Sequence, residues 1–120
     1  MFERLGKIES VMLGIEDHGI LTCSLTFNFG GSVQSFGGYS LHSFDEEEKE
    51  RVEHAAGTDF ILCILKACGV NNWEDIKGKV MYALYDSERY GQIMGIRALP
   101  FEEGGTFLIS EWQKRWFSEK

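Results

Sequence analysis

No apolar stretch in this chain approaches the roughly 20 residues needed to span a bilayer. Residues 1–10 carry Glu3, Arg4, Lys7 and Glu9 instead of the apolar segment of a secretory signal. A soluble, cytoplasmic protein with no membrane partner is therefore expected. Cysteine is scarce: Cys23, Cys63 and Cys68 are an odd count, and none shows the two-residue spacing of a zinc or redox motif. They read as buried, reduced thiols, with Cys63 and Cys68 on different faces of a helix. Basic residues are also short, 12 against 19 acidic, giving a net charge of -7. That balance argues against extended nucleic acid as a partner, because its binding rests on phosphate neutralisation by Lys and Arg. One small anionic ligand remains open, since backbone N–H groups can hold a phosphate on an acidic protein, as does a partner with a basic surface. The chain has no internal repeat, linker or low-complexity segment, no dinucleotide fingerprint or phosphate-loop signature, and no nucleophile elbow.

What is present suits one domain over residues 1–120. The chain is 43% apolar and 13% aromatic, enough for a dense core without metals or disulfides. Residues 7–15 read as a strand with Val11, Leu13 and Ile15 on one side, and Asp17-His18-Gly19 as the turn after it. Residues 20–29 alternate cleanly, with Leu21, Cys23, Leu25, Phe27 and Phe29 on one face. Gly30-Gly31-Ser32 makes a second turn. Val33 to Leu41 is a third strand that Gly37-Gly38 interrupts as a bulge or close backbone approach. Residues 45–54 are charged with almost no apolar face, which predicts an exposed helical turn, capped by Asp45, or a loop. A helix is expected over 58–68, capped by Thr58 or Asp59 and stopped by Gly69.

Beyond that helix, Asn71 to Ile76 suggests a single turn in which the Asn72 side chain accepts from the Asp75 N–H and Trp73 folds inward. Lys79–Tyr85 and Gln92–Ala98 read as a hairpin around the Asp86–Gly91 turn. Pro100 opens a loop through Gly104-Gly105, and Phe107 to Phe117 passes from a short strand into a short helix. The fold class is α+β: an antiparallel sheet, built from a three-stranded N-terminal meander and a C-terminal hairpin, with one main helix and a short C-terminal helix on one face.

Several constellations could carry chemistry. Glu16, Asp17 and His18 sit in a turn; they are candidates for ligand contact, while neighbours in sequence seldom all face one metal ion, so no metal and no cofactor is expected. Gly30-Gly31 and Phe36-Gly37-Gly38-Tyr39 are candidates for cradling a phosphate, with Phe36 or Tyr39 stacking on a base. Trp112 and Trp116 share a helical face, as a candidate interface or as packing against the sheet. The end of the chain is a candidate contact in a symmetric dimer, and a homo-oligomer is expected.

The blocks Leu13-Gly14-Ile15-Glu16-Asp17-His18-Gly19, Phe36-Gly37-Gly38-Tyr39 and Trp73-Glu74-Asp75-Ile76-Lys77-Gly78-Lys79 together resemble a widespread group of small uncharacterised tailed-phage and prophage proteins. The resemblance spans most of residues 7–80 and thins after Tyr82. It implies a phage origin and not a reaction; small acidic phage proteins of this kind are often counter-defence factors, acting in the host cytoplasm. The favoured version is a sponge that captures a nucleotide immune signal without cleaving it, with Lys77 or Arg97 supplying charge. A second version binds a host defence complex, in the manner of an anti-CRISPR protein, through the acidic surface around Asp45 to Glu53. A third is a metal-dependent nucleotide hydrolase using Glu16, Asp17 and His18.

Overall fold

The structure, a computed structural model, describes all residues except 17, 18, 46, 48 and 118–120. The alternation in residues 20–29 produces strand β2 (Ile20–Asn28), which buries Cys23, Leu25 and Phe27 and leaves Ser24 and Thr26 half-exposed. Its neighbours are β1 (Phe2–Glu16) and β3 (Val33–Gly37), both antiparallel to it, so the N-terminal meander is as expected. Strand β1 begins five residues earlier than the local pattern suggests. Its first residues pair with a distant segment, β6 (Val80–Tyr85), in a register running from Phe2 opposite Tyr85 to Lys7 opposite Val80. The C-terminal hairpin continues through β7 (Gly95–Arg97) to β8 (Thr106–Leu108). The six strands lie in the order β3-β2-β1-β6-β7-β8.

The charged block departs from expectation. Asp45 ends strand β4 (His42–Asp45) and does not cap a helical turn, and residues 50–53 form β5 (Glu50–Glu53), paired with β4 as a separate hairpin, with Glu47 and Lys49 in the turn between them. Lacking an apolar helical face, these residues satisfy their backbone by pairing across strands instead. The main helix, α1 (Ala55–Cys68), starts three residues before the predicted boundary. Neither Thr58 nor Asp59 caps it; His54 does, its Nδ1 accepting from the Ala56 N–H at 3.0 Å. Gly57, within the first turn, lies so close to the Leu41 carbonyl that a Cβ there would collide with it. Gly69 stops the helix as predicted, in a left-handed conformation with φ 69°.

A 3₁₀ turn (Trp73–Ile76) follows. Asn72 holds it differently from expectation: its backbone carbonyl accepts from the Asp75 N–H at 3.1 Å, while its side-chain amide donates to the Asp75 carboxylate at 3.3 Å. The short C-terminal helix is α2 (Ile109–Phe117). One contiguous core joins α1 (Phe60, Ile64, Ala67, Cys68) and Trp112 of α2 to the inner sheet face, including Phe27, Phe36, Met81 and Ile96. Trp112 packs edge-on to Phe60 at 4.9 Å and donates its Nε1–H to the Ala56 carbonyl at 2.8 Å. Trp116 is half-buried and donates to Asp59 at 2.8 Å. Among the described residues no helix is long and apolar enough to cross a membrane.

Candidate functional site

The residues singled out from the sequence fall in four places. Glu16 ends β1, exposed, opposite Ile20 at the base of the first hairpin turn; Asp17 and His18 lie outside the described residues. Phe36 faces the core at 1% exposure, 6.2 Å from Phe60 and 5.9 Å from Phe107 between ring centroids. It therefore cannot stack on a nucleobase: inward alternation along β3 commits it to the core. Gly37 and Gly38 do not form a phosphate cradle. A Cβ on Gly37 would collide with the Cys23 carbonyl, and Gly38 spends its N–H on that same carbonyl at 2.8 Å. These two glycines let the chain leave β3 and still run against β2. Tyr39 is half-buried between Phe60 and Trp112, and burial raises its phenol pKa. Its exposed side lines a groove of about 610 Å³ with Ser40, Trp112 and Phe117. Arg97 projects from β7 beside Tyr82 and forms an ion pair with Glu3.

Gly30 and Lys77, by contrast, meet in one cleft of about 790 Å³. Its position follows from an irregularity in β1. The register with β2 shifts between Ile8 and Ser10, leaving Glu9 as a bulge. At Ile8 the backbone turns to the loop after the 3₁₀ turn: its N–H donates to the Lys79 carbonyl at 2.8 Å and its carbonyl accepts from the Gly78 N–H at 2.7 Å. That pins Lys77 and Gly78 against the strand, with Gly78 at φ 94°. The opposite wall is the β2–β3 turn, where Asn28 Oδ1 accepts from the Gly30 N–H at 2.8 Å and Phe29 donates to Ser32 at 2.9 Å. The Gly30 N–H is thus engaged, and the turn contributes shape and open space, with nothing within 4 Å of a Cβ at Gly30 or Gly31.

Charge in the cleft is mixed. Lys7 and Lys77 bring two ammonium groups, Glu9 and Glu74 two carboxylates, and Asn28 an amide. Ammonium groups bind phosphate oxygens as point charges, and the carboxylates can accept from ribose hydroxyls or exocyclic amines. Sequence reasoning missed Lys7, Glu9 and Glu74. The signal that could have located them is the spacing from Ile8 to Val11: two inward residues three apart in a period-two strand require a bulge.

The cysteines are all free thiols. Burial pushes Cys23 and Cys68 up to about 12, so neither supplies a thiolate at neutral pH. Among the described residues no group of three or more His, Cys, Asp or Glu is placed to hold a metal ion. No protein-family model matches the chain, and neither a curated protein nor a solved structure does.

Proposed function

We propose that this is a binding protein that takes up a small phosphate-bearing ligand, a nucleotide, and holds it without turning it over. One observation carries this reading: Gly30 and Lys77, far apart in sequence, converge with Lys7 on a single cleft beside the β1 bulge. The chain's net charge of -7 opposes an incoming anion at long range. That field is screened over about 8 Å at physiological salt, so affinity is set by the two local ammonium groups. The likeness of its sequence blocks to small phage proteins supports a counter-defence setting for that binding, capture of a nucleotide immune signal.

The test is isothermal titration with a nucleotide panel that includes cyclic dinucleotides and cyclic ADP-ribose, followed by heat release and mass analysis of the ligand. Saturable uptake and recovery of an unchanged ligand are expected. Lys7→Ala and Lys77→Ala should each weaken binding at least about tenfold, because each removes a charge-assisted contact. Absence of uptake, or recovery of a cleaved ligand, overturns the reading.

A second reading has its own observation. The sequence from Asp45 to Glu53 has six acidic residues among nine, and β4 and β5 pair as a hairpin separate from the six-stranded sheet, with Glu53 exposed. A basic protein surface would be drawn to that charge. Co-purification of a host nuclease complex, lost on charge reversal at Glu53, with no nucleotide uptake, favours it.

A further inference from the structure

Beyond Ile8, strand β1 has a partner on only one side. Strand β6 accompanies it from Phe2 to Lys7, and the loop after the 3₁₀ turn bonds Ile8. From Ser10 to Glu16 it is paired with β2 alone among the described residues. The direction of its backbone groups follows from the ladder. Cys23 and Leu21 turn their carbonyls away from β1, to the N–H groups of Gly38 and Leu41, both at 2.8 Å. In an antiparallel pair, two opposed residues either exchange both bonds or both turn outward. Leu13 and Ile15, opposite Cys23 and Leu21, therefore turn their N–H and carbonyl groups to the open side, and Val11 follows by the same alternation.

Open edges are ordinarily blunted by lysine, proline or a bulge. Here the run Ser10-Val11-Met12-Leu13-Gly14-Ile15 contains no charge and no proline, and the bulge lies below it at Glu9. Leu13 is 41% and Ile15 64% exposed, so apolar side chains accompany the unpaired backbone. We propose that this edge pairs with the same edge of a second copy, antiparallel about a two-fold axis at Leu13. The pattern is self-complementary. Val11 faces the partner's Ile15, Leu13 faces the partner's Leu13, and Glu16, the one charge in the span, faces the partner's Ser10. Each of the three outward-turned residues of one chain then meets an outward-turned residue of the other, which is the condition for a bonded pair. The two sheets join into one continuous sheet through an isologous contact.

Sedimentation equilibrium of the full chain tests this. A species of twice 13.7 kDa is expected at micromolar concentration. Leu13→Glu puts two carboxylates across the axis and should raise the dimer dissociation constant at least about tenfold, with an unchanged circular dichroism spectrum. Val33→Glu, on the exposed far edge strand, should leave the dimer intact. In a bonded pair the Cα atoms lie about 5.5 Å apart, inside disulfide range, so Leu13→Cys should form an inter-chain disulfide in air that the unsubstituted chain does not. A monomer at about 100 μM, a dimer indifferent to Leu13→Glu, or a strand from a different protein captured by a monomeric chain each overturns the proposal.

Discussion

Asp59 shows how much one side chain can organise. It sits on the outer side of α1 and gathers three donors from α2: the Trp116 indole at 2.8 Å and two nitrogens of Arg115 at 3.1 and 2.6 Å. Burial pushes its pKa upward, but the Trp116 hydrogen bond and the Arg115 guanidinium outweigh that, and the net movement is below the ordinary 3.8. A carboxyl depressed in the folded state contributes stability that is complete above its unfolded value and is lost as pH falls through the folded one. Acid should therefore loosen α2 below about pH 4. Asp59→Asn keeps an acceptor for Trp116 and loses the charge. Thermal melts should show it about 1 kcal/mol less stable at pH 7, a modest figure because Arg115 is exposed. The difference from the unsubstituted chain should vanish near pH 2. A constant difference across that range would show that the carboxylate charge plays no part.

Elements formed where local pattern and tertiary partner agree, and shifted where they do not. Strand β2, the stop at Gly69 and the strand-to-helix passage at the C terminus were legible because period, turn residues and burial coincide in a few residues. The start of β1 was not, since residues 2–6 are strand only by virtue of β6, some eighty positions away. The β4–β5 hairpin was hidden by its acidic composition, which carries neither period. The His54 cap was hidden by Gly57, which looks like a break and is a close approach. For the site, the sequence offers Gly30 and Lys77 as candidates but does not show that they are neighbours, because only the bulge brings their loops together. Phe36 was misread because an aromatic beside two glycines looks like a stacking platform, whereas strand alternation points it inward. Gly37 gives a direct test of what those glycines do. Gly37→Ala imposes both a φ of 112° and a collision with the Cys23 carbonyl; Gly30→Ala imposes φ 99° alone, with open space around the new methyl. Chemical denaturation should show Gly30→Ala losing about 1 kcal/mol and Gly37→Ala about 2 or more. Equal losses would mean that close packing at Gly37 contributes nothing.

On the scale of the molecule, one ring holds the layers together. Phe60 of α1 lies within 6.2 Å, centroid to centroid, of Phe36 on β3, Tyr39 beyond it, Phe107 on β8 and Trp112 on α2. Those partners come from both edges of the sheet and from the last helix, so the N-terminal meander and the C-terminal hairpin share a single junction, and neither half can bury its apolar face without the other. Unfolding should accordingly be one cooperative transition, with far-ultraviolet circular dichroism and tryptophan fluorescence giving the same midpoint even though two of the three tryptophans, Trp112 and Trp116, lie on the C-terminal helix. Phe60→Ala opens a cavity at the junction and should cost about 3–5 kcal/mol, lowering the midpoint by at least about 10 °C while keeping the two probes coincident. If fluorescence were instead lost well before the strand signal, the C-terminal helix would be a separate unit resting on a sheet that folds without it. The cleft between the β1 bulge and the 77–78 loop would then draw its rigidity from the sheet alone, and ligand affinity should survive deletion of residues 109–120.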